Sequence, residues 1–203
     1  MSKGGGRGKF PATYEDLEAL PVGWVGEIID DTLWAFPRPA AWHAWAASML
    51  GVRLGARFGS GSDGPGGWWL LDEPELHLGP HVLVPDLAGW RRERVPGLLA
   101  RDTPFFDVAP DWVCEVLSPS TAALDRGRKM ALYFQEGVAH VWLLNPRAHT
   151  LETYHRGPEG WSRGGEYAGH RVIHAEPFAA EPLDLGGLWA PVTLAPGDSS
   201  HQG

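Results

Sequence analysis

Apolar positions recur at three- and four-residue spacing in two stretches of the chain. Residues 40–57 carry Trp42, Trp45, Ala46, Met49, Leu50 and Leu54, and residues 120–136 carry Leu124, Met130, Ala131, Leu132 and Phe134 before Gly137. This spacing predicts two amphipathic helices, the second stopped by its glycine. A third, short helix is predicted within 11–21, where Thr13 stands as N-cap and Asp16 follows three residues later. Elsewhere the pattern shortens to strands. Residues 26–36 read as a hairpin turning at Asp30-Asp31, and residues 68–78, 81–90, 111–118 and 139–146 read as strands. Residues 151–157, 161–169, 170–174 and 183–189 alternate over short distances, as terminal antiparallel strands do. The strand, helix, strand order over 111–146 implies a parallel crossover. Residues 58–67 form a glycine-rich loop, and 1–10 and 191–203 read as flexible tails around one domain over 11–190. The predicted class is α/β, a mixed sheet with flanking helices and additional antiparallel strands.

Composition narrows what such a domain does. The chain has 203 residues, 43% of them hydrophobic and 11 of them Trp, enough for one sizeable core. Gly 27 and Pro 18 imply long loops, and no internal repeat is visible. Lys+Arg 17 against Asp+Glu 25 gives a net charge of −8, so the overall field repels phosphate. The longest nearly uncharged apolar stretch, 40–50, is too short to span a bilayer, and no signal-peptide pattern opens the sequence. Cys114 is the one cysteine, which excludes an internal disulfide and points to a reducing cytoplasm.

Candidate chemistry gathers around three residues. Glu115 lies in the middle of an apolar strand, where a carboxylate is costly unless something positive neutralises it. On strand alternation it shares a face with Val113 and Leu117, and Val82, Val84, Asp86 and Ala88 share a face of the preceding strand. If those strands are neighbours, Asp86 and Glu115 meet as oxygen ligands of the kind Mg²⁺ or Mn²⁺ prefers; the alternative is a carboxylate paired with a buried Arg. Only Lys3, Lys9 and Lys129 are lysines, so the body of the protein retains one. Lys129 shares a helical face with Asp125 and Tyr133, either as a solvated pair or aimed at the carboxylates. Two acidic ligands and a lysine suit metal-assisted phosphodiester hydrolysis.

Other features have plainer readings. The pairs His77/His81 and His170/His174 fall in strand-like segments, where positions four apart do not chelate one ion. His43 either faces the site or, on the plainer reading, is a histidine hydrogen-bonded at a helix surface, and Cys114 is a packing residue facing away from Glu115. The glycine-rich loop lacks the Lys-Ser/Thr ending of a P-loop. Arg91, Arg92, Arg94, Arg101, Arg126 and Arg128 would set local positive charge beside the site or form a solvated charged surface. The tryptophans read mostly as core, with a self-association surface at Trp68, Trp69 and Trp90 as the alternative.

The segments HVLVPDLAGWRRERVP, APDWVCEVLSPST and DRGRKMALYFQEGVAHVWLLNP together resemble the Uma-two family, restriction endonucleases by designation and a branch of the PD-(D/E)XK nuclease superfamily. The resemblance runs from about Tyr14 to Trp189. It implies a restriction-endonuclease-like core, with Asp86 and Glu115 as Mg²⁺ (or Mn²⁺) ligands, Lys129 as the catalytic lysine and Glu27 of GEIID completing the site. The superfamily pattern places its lysine two residues after the acid, where this chain has Leu117, so Lys129 would fill the role from the following helix. The implied activity is Mg²⁺-dependent hydrolysis of DNA by a homodimer, with no membrane partner. The alternative is a catalytically inactive nuclease fold that serves as a binding or assembly module.

Overall fold

Within residues 68–91 the chain passes twice between two β-sheets, and each passage falls at a proline that interrupts an apolar run. The computed structural model describes residues 6–59 and 64–190. Strand β1 (Gly6–Arg7) and helix α1 (Tyr14–Glu18) lead into the hairpin of β2 (Trp24–Ile29) and β3 (Thr32–Pro37). The hairpin turns where expected, with φ of 50° and 54° at Asp30 and Asp31, the left-handed values a tight two-residue turn requires. The Thr13 amide donates to Asp16 Oδ2 at 2.8 Å, which starts α1 as the sequence predicts. Leu17 and Leu20 then lie so close over Gly26 that any side chain there would collide with them.

Helix α2 (Ala41–Leu54) continues into a wide π-turn at Gly55–Gly59. Strands β4 (Trp68–Asp72), β5 (Leu76–Leu78), β6 (His81–Leu83) and β7 (Leu87–Arg91) follow. Here the structure corrects the sequence reading: 68–78 and 81–90 are not two continuous strands. Pro74 and Pro85 have no N–H to give a ladder, so each run breaks and its halves join different sheets. The argument that Val84, Asp86 and Ala88 alternate along one strand therefore fails, because Asp86 lies in the break.

Strand β8 (Trp112–Val116) leads to α3 (Ala122–Leu124), a π-turn at Asp125–Lys129 and α4 (Met130–Gln135), one helical run that ends at Gly137 with φ of 84°. β9 (His140–Asn145) returns parallel to β8, as predicted, and β10 (Thr150–Arg156) and β11 (Trp161–Ala168) complete the second sheet. β12 (Val172–Ile173) and β13 (Leu183–Asp184) pair separately.

The five-stranded sheet has the order β1-β3-β2-β6-β5 and the six-stranded sheet β11-β10-β9-β8-β7-β4. The six-stranded sheet is covered on both faces, so β8 is buried throughout. One face sets Trp112, Cys114 and Trp142 against α2 and Phe178. The other sets Val113, Val141 and Leu143 against α4 and the five-stranded sheet. Cys114 is fully buried, as predicted, and burial pushes its thiol well up.

The tryptophans follow the core reading: Trp68 and Trp90 are core residues and Trp69 packs against the core, so no self-association surface forms from them. Two further expectations change. The buried stripe of α2 is His43, Ala46, Leu50 and Leu54, whereas Trp45 is exposed. Residues 6–10, expected as tail, bond to β3 and its turn through Gly8 N–H to Leu33 O and Leu33 N–H to Lys9 O. The tail expected at 191–203 lies outside the described residues. Among the described residues no helix is long and apolar enough to cross a membrane.

Candidate active site

Each candidate residue is placed by a different element. β7 and β8 pair antiparallel with Leu87 opposite Cys114, and continuing that register sets Asp86 opposite Glu115. The break at Pro85 frees Asp86 from the ladder, so its Oδ2 accepts the Val116 N–H at 2.7 Å. Glu115 sits on the Val113 face of β8, as alternation predicts. Glu27, in β2 of the other sheet, accepts the Val84 N–H at 2.8 Å and so ties β2 to the crossing.

The π-turn at Asp125–Lys129 supplies the cation. It turns Asp125 and Lys129 inward while Arg126 and Arg128 lie outward on Glu152 and Asp30. Lys129 Nζ is 2.8 Å from Glu27 Oε1, 2.9 Å from Glu115 Oε1 and 3.8 Å from Asp125 Oδ1. Tyr133, one turn on, donates its hydroxyl to Glu115 Oε1 at 2.5 Å. The structure thus brings Glu27, Asp86, Glu115 and Lys129 together. Leu117, at the superfamily's lysine position, is buried among apolar side chains.

The electrostatics are unbalanced. Glu27, Asp86, Glu115 and Asp125 are served by one ammonium. Burial pushes the Glu115 carboxyl up to about 8 against the pull of Lys129, and pushes Asp125 up to about 7. Burial and then the charge of Glu115 hold Asp86 well above the usual carboxylate range. Burial alone would lower Lys129, but Glu115 and Glu27 outweigh it and hold the ammonium charged.

These residues line a cavity of about 220 Å³. The lining is mixed: the carboxylates, Lys129 and the Ser118–Thr121 turn are polar, and Val25, Phe36, Pro37, Pro39, Trp42 and Val84 are apolar. His43 is buried, with Nε2 3.5 Å from Asp86 Oδ1 and Nδ1 without a hydrogen-bond partner. Burial lowers its pKa, so it stands neutral beside the carboxylates.

Sequence reasoning set Asp125 and Tyr133 on the face of Lys129 without giving them a place in the site. Their i, i+4 spacing was the available signal, and of the two readings of His43 its burial beside Asp86 selects the one that faces the site. Of the two readings of the arginines, local charge at the site is the one that does not hold. Arg91 and Arg92 stack on Trp68 and Trp69, Arg94 and Arg101 pair with Asp111 and Asp107, and none lines the cavity. The histidine pairs are also elsewhere: His77 bonds Glu75 and His174 faces the Ala179 carbonyl.

The donor set bears on which metal fits. Among the described residues no group of three or more His, Cys, Asp and Glu forms a ready-made metal cage. Asp86 and Glu115 offer two neighbouring, charge-frustrated carboxylates in a polar cavity. That set fits a hard dication that keeps most of its own water and is held by one or two carboxylates together with substrate phosphate.

Comparison with known proteins gives the same fold. Residues 11–193 match the family model Uma2, described as "putative restriction endonuclease". The structure is similar to that of a protein from Anabaena variabilis titled a "putative nuclease belonging to DUF820", with a TM-score of 0.70 and 21% identity, covering 88% of this chain and 98% of that one. No curated protein matches the chain.

Proposed function

Because the chain belongs to the Uma2 family, we propose that it hydrolyses DNA phosphodiester bonds at the cavity lined by Glu27, Asp86, Glu115 and Lys129. The observation that carries this reading is the convergence of Glu27 and Glu115 on the buried ammonium of Lys129, with Asp86 opposite Glu115. Asp86 and Glu115 are the residues that would hold Mg²⁺ or Mn²⁺. Such an ion, when bound, supplies an acidified water and polarises a phosphoryl oxygen.

The remaining work falls to the chain itself. Lys129 is held charged, so it does not remove a proton from water. Two of its three N–H groups point to Glu27 and Glu115, and the third is available to an oxygen of the scissile phosphate, where negative charge grows during attack. Glu27 fixes the lysine's position, and its own position is fixed by the Val84 amide. Tyr133 holds Glu115 by one oxygen. Cutting both strands of a duplex would take two such sites, hence a pair of copies.

The test is Mn²⁺ titration by calorimetry alongside cleavage of plasmid and single-stranded DNA. The wild type should bind Mn²⁺ and cut in its presence, and Asp86→Ala should lose both. Unchanged Mn²⁺ binding in Asp86→Ala, with no cleavage of any nucleic acid by the wild type, would instead support the non-catalytic binding module.

A further inference from the structure

The cavity that holds the site is also lined by apolar and aromatic residues that the chemistry above does not use. The reactive groups are buried: Glu115 is 2% exposed, Lys129 3% and Glu27 5%. A phosphate that reaches them must enter the cavity, and its neighbouring nucleosides must bend in with it. Paired and stacked bases hold a duplex backbone stiff, whereas an unpaired segment can fold inward and lay a base on an aromatic ring. Phe36, Pro37, Pro39, Trp42 and Val84 line the same cavity as the carboxylates. Trp42 is half-buried, and the Arg147 guanidinium lies 5.9 Å from its ring centroid.

The charge distribution points the same way. Of the residues lining the cavity only Arg38 and Lys129 are cationic. Arg91, Arg92, Arg94, Arg101, Arg126 and Arg128 are engaged by Trp68, Trp69, Asp111, Asp107, Glu152 and Asp30 in turn and form no track beside the cavity for a duplex backbone. Arg38 is exposed at the cavity, 3.6 Å from Glu73, where it can meet one flanking phosphate. Stacking plus a few cations is how sequence-tolerant proteins hold single strands.

We infer that the substrate is an unpaired nucleotide segment, single-stranded DNA or an unpaired stretch in a duplex, with one base laid on Trp42 while its phosphate meets Lys129. This rests on the hydrolytic reading above and narrows its substrate. It also resolves how a chain of net charge −8 engages DNA: capture relies on stacking within the cavity and not on a long-range field.

The test compares a short fluorescein-labelled DNA strand, the same strand in a perfect duplex, and that duplex with a central unpaired bulge. Cleavage with Mn²⁺ and binding by anisotropy without added metal are both measured. Expected are cleavage of the strand and of the bulge about 10-fold or more faster than of the perfect duplex, and a KM raised about 10-fold by Trp42→Ala with kcat little changed. Trp42→Phe, which keeps a ring, should restore most of the loss. Equal cleavage of the perfect duplex, or a Trp42→Ala effect confined to kcat, overturns the inference while leaving the hydrolytic reading intact. If the wild type cuts nothing, the hydrolytic reading fails and binding alone decides. Tighter binding of the unpaired strand, weakened by Trp42→Ala, then supports Trp42 as its seat, and equal binding of strand and duplex refutes it.

Discussion

The helical turn Asp125–Lys129 feeds two ion clusters, one inward and one outward. Outward, Arg126 and Arg163 both reach Glu152, and Tyr154 donates to it at 2.8 Å. Arg126 first, and the others with it, hold the Glu152 carboxyl down to about 2. Inward, Lys129 alone serves several carboxylates, and burial holds Glu115 and Asp125 at about 8 and 7. Both clusters contain acids beside bases, yet their acids shift in opposite directions. The outward cluster matches its two glutamates, Glu152 and Glu166, with two arginines, whereas the inward one is short of positive charge and favours protons or an added cation. The direction of the carboxylate shift therefore separates a structural ion network from a site poised for a ligand.

Substitutions on each side should behave as opposites. The largest effect is expected from Lys129→Met, which leaves buried carboxylates without their one cation. Stability measured by urea unfolding should fall by about 3–5 kcal/mol, and cleavage by the fraction that remains folded should fall by about 10²–10³. Cleavage retained at the wild-type rate would mean that Lys129 only neutralises its neighbours.

Next comes Asp86→Asn, which keeps an acceptor for the Val116 amide and removes a charge. The folded-state pKa of Asp86 lies above the unfolded value, about 3.9, so the folded protein takes up a proton and loses stability as pH rises between the two. The variant should lose cleavage yet melt higher than wild type at about pH 8, by roughly 2–4 °C for each kcal/mol gained, and the gain should vanish near about pH 4. A melting temperature that falls at both pH values would show that Asp86 acts as a structural acid.

Glu152→Gln should reverse that pattern. Its folded pKa lies below the unfolded one, so its contribution is present above about pH 4.5 and is lost as pH falls toward 2. A loss of about 1 kcal/mol near neutrality is expected, reduced by the solvent exposure of both arginines, with cleavage unchanged. Arg163→Ala, which removes one of the two cations, should cost no more than a few tenths of a kcal/mol. A deficit in either variant that persists unchanged at acid pH would remove the outward cluster from the comparison.

Much of this geometry was legible in the sequence because local rules govern it. Glu115 had to face with Val113 on a strand, Asp30-Asp31 had to turn, and Asp125, Lys129 and Tyr133 had to share a helix face. What escaped reading depends on distant partners. Pro74 and Pro85 break runs that alternate well enough to pass as strands, and only the two-sheet topology shows where their halves go. The arginines after Asp86 follow it in sequence but are drawn away by Trp68, Trp69 and Asp111. His43 differs from its neighbours on α2 only in what packs over it. Trp42 and Trp45 look like core residues by type, yet the small residue Ala46 takes the buried position, in one core cluster with β8 and residues 183–189.

The passage of the chain between sheets at Asp86 also has a consequence for biogenesis. Glu27 comes from one sheet, Glu115 from the other, and Lys129 from a helix synthesised after both. Both acids are therefore made before the ammonium that serves them, and the charge balance of the cavity is set only when that helical run docks against the two sheets.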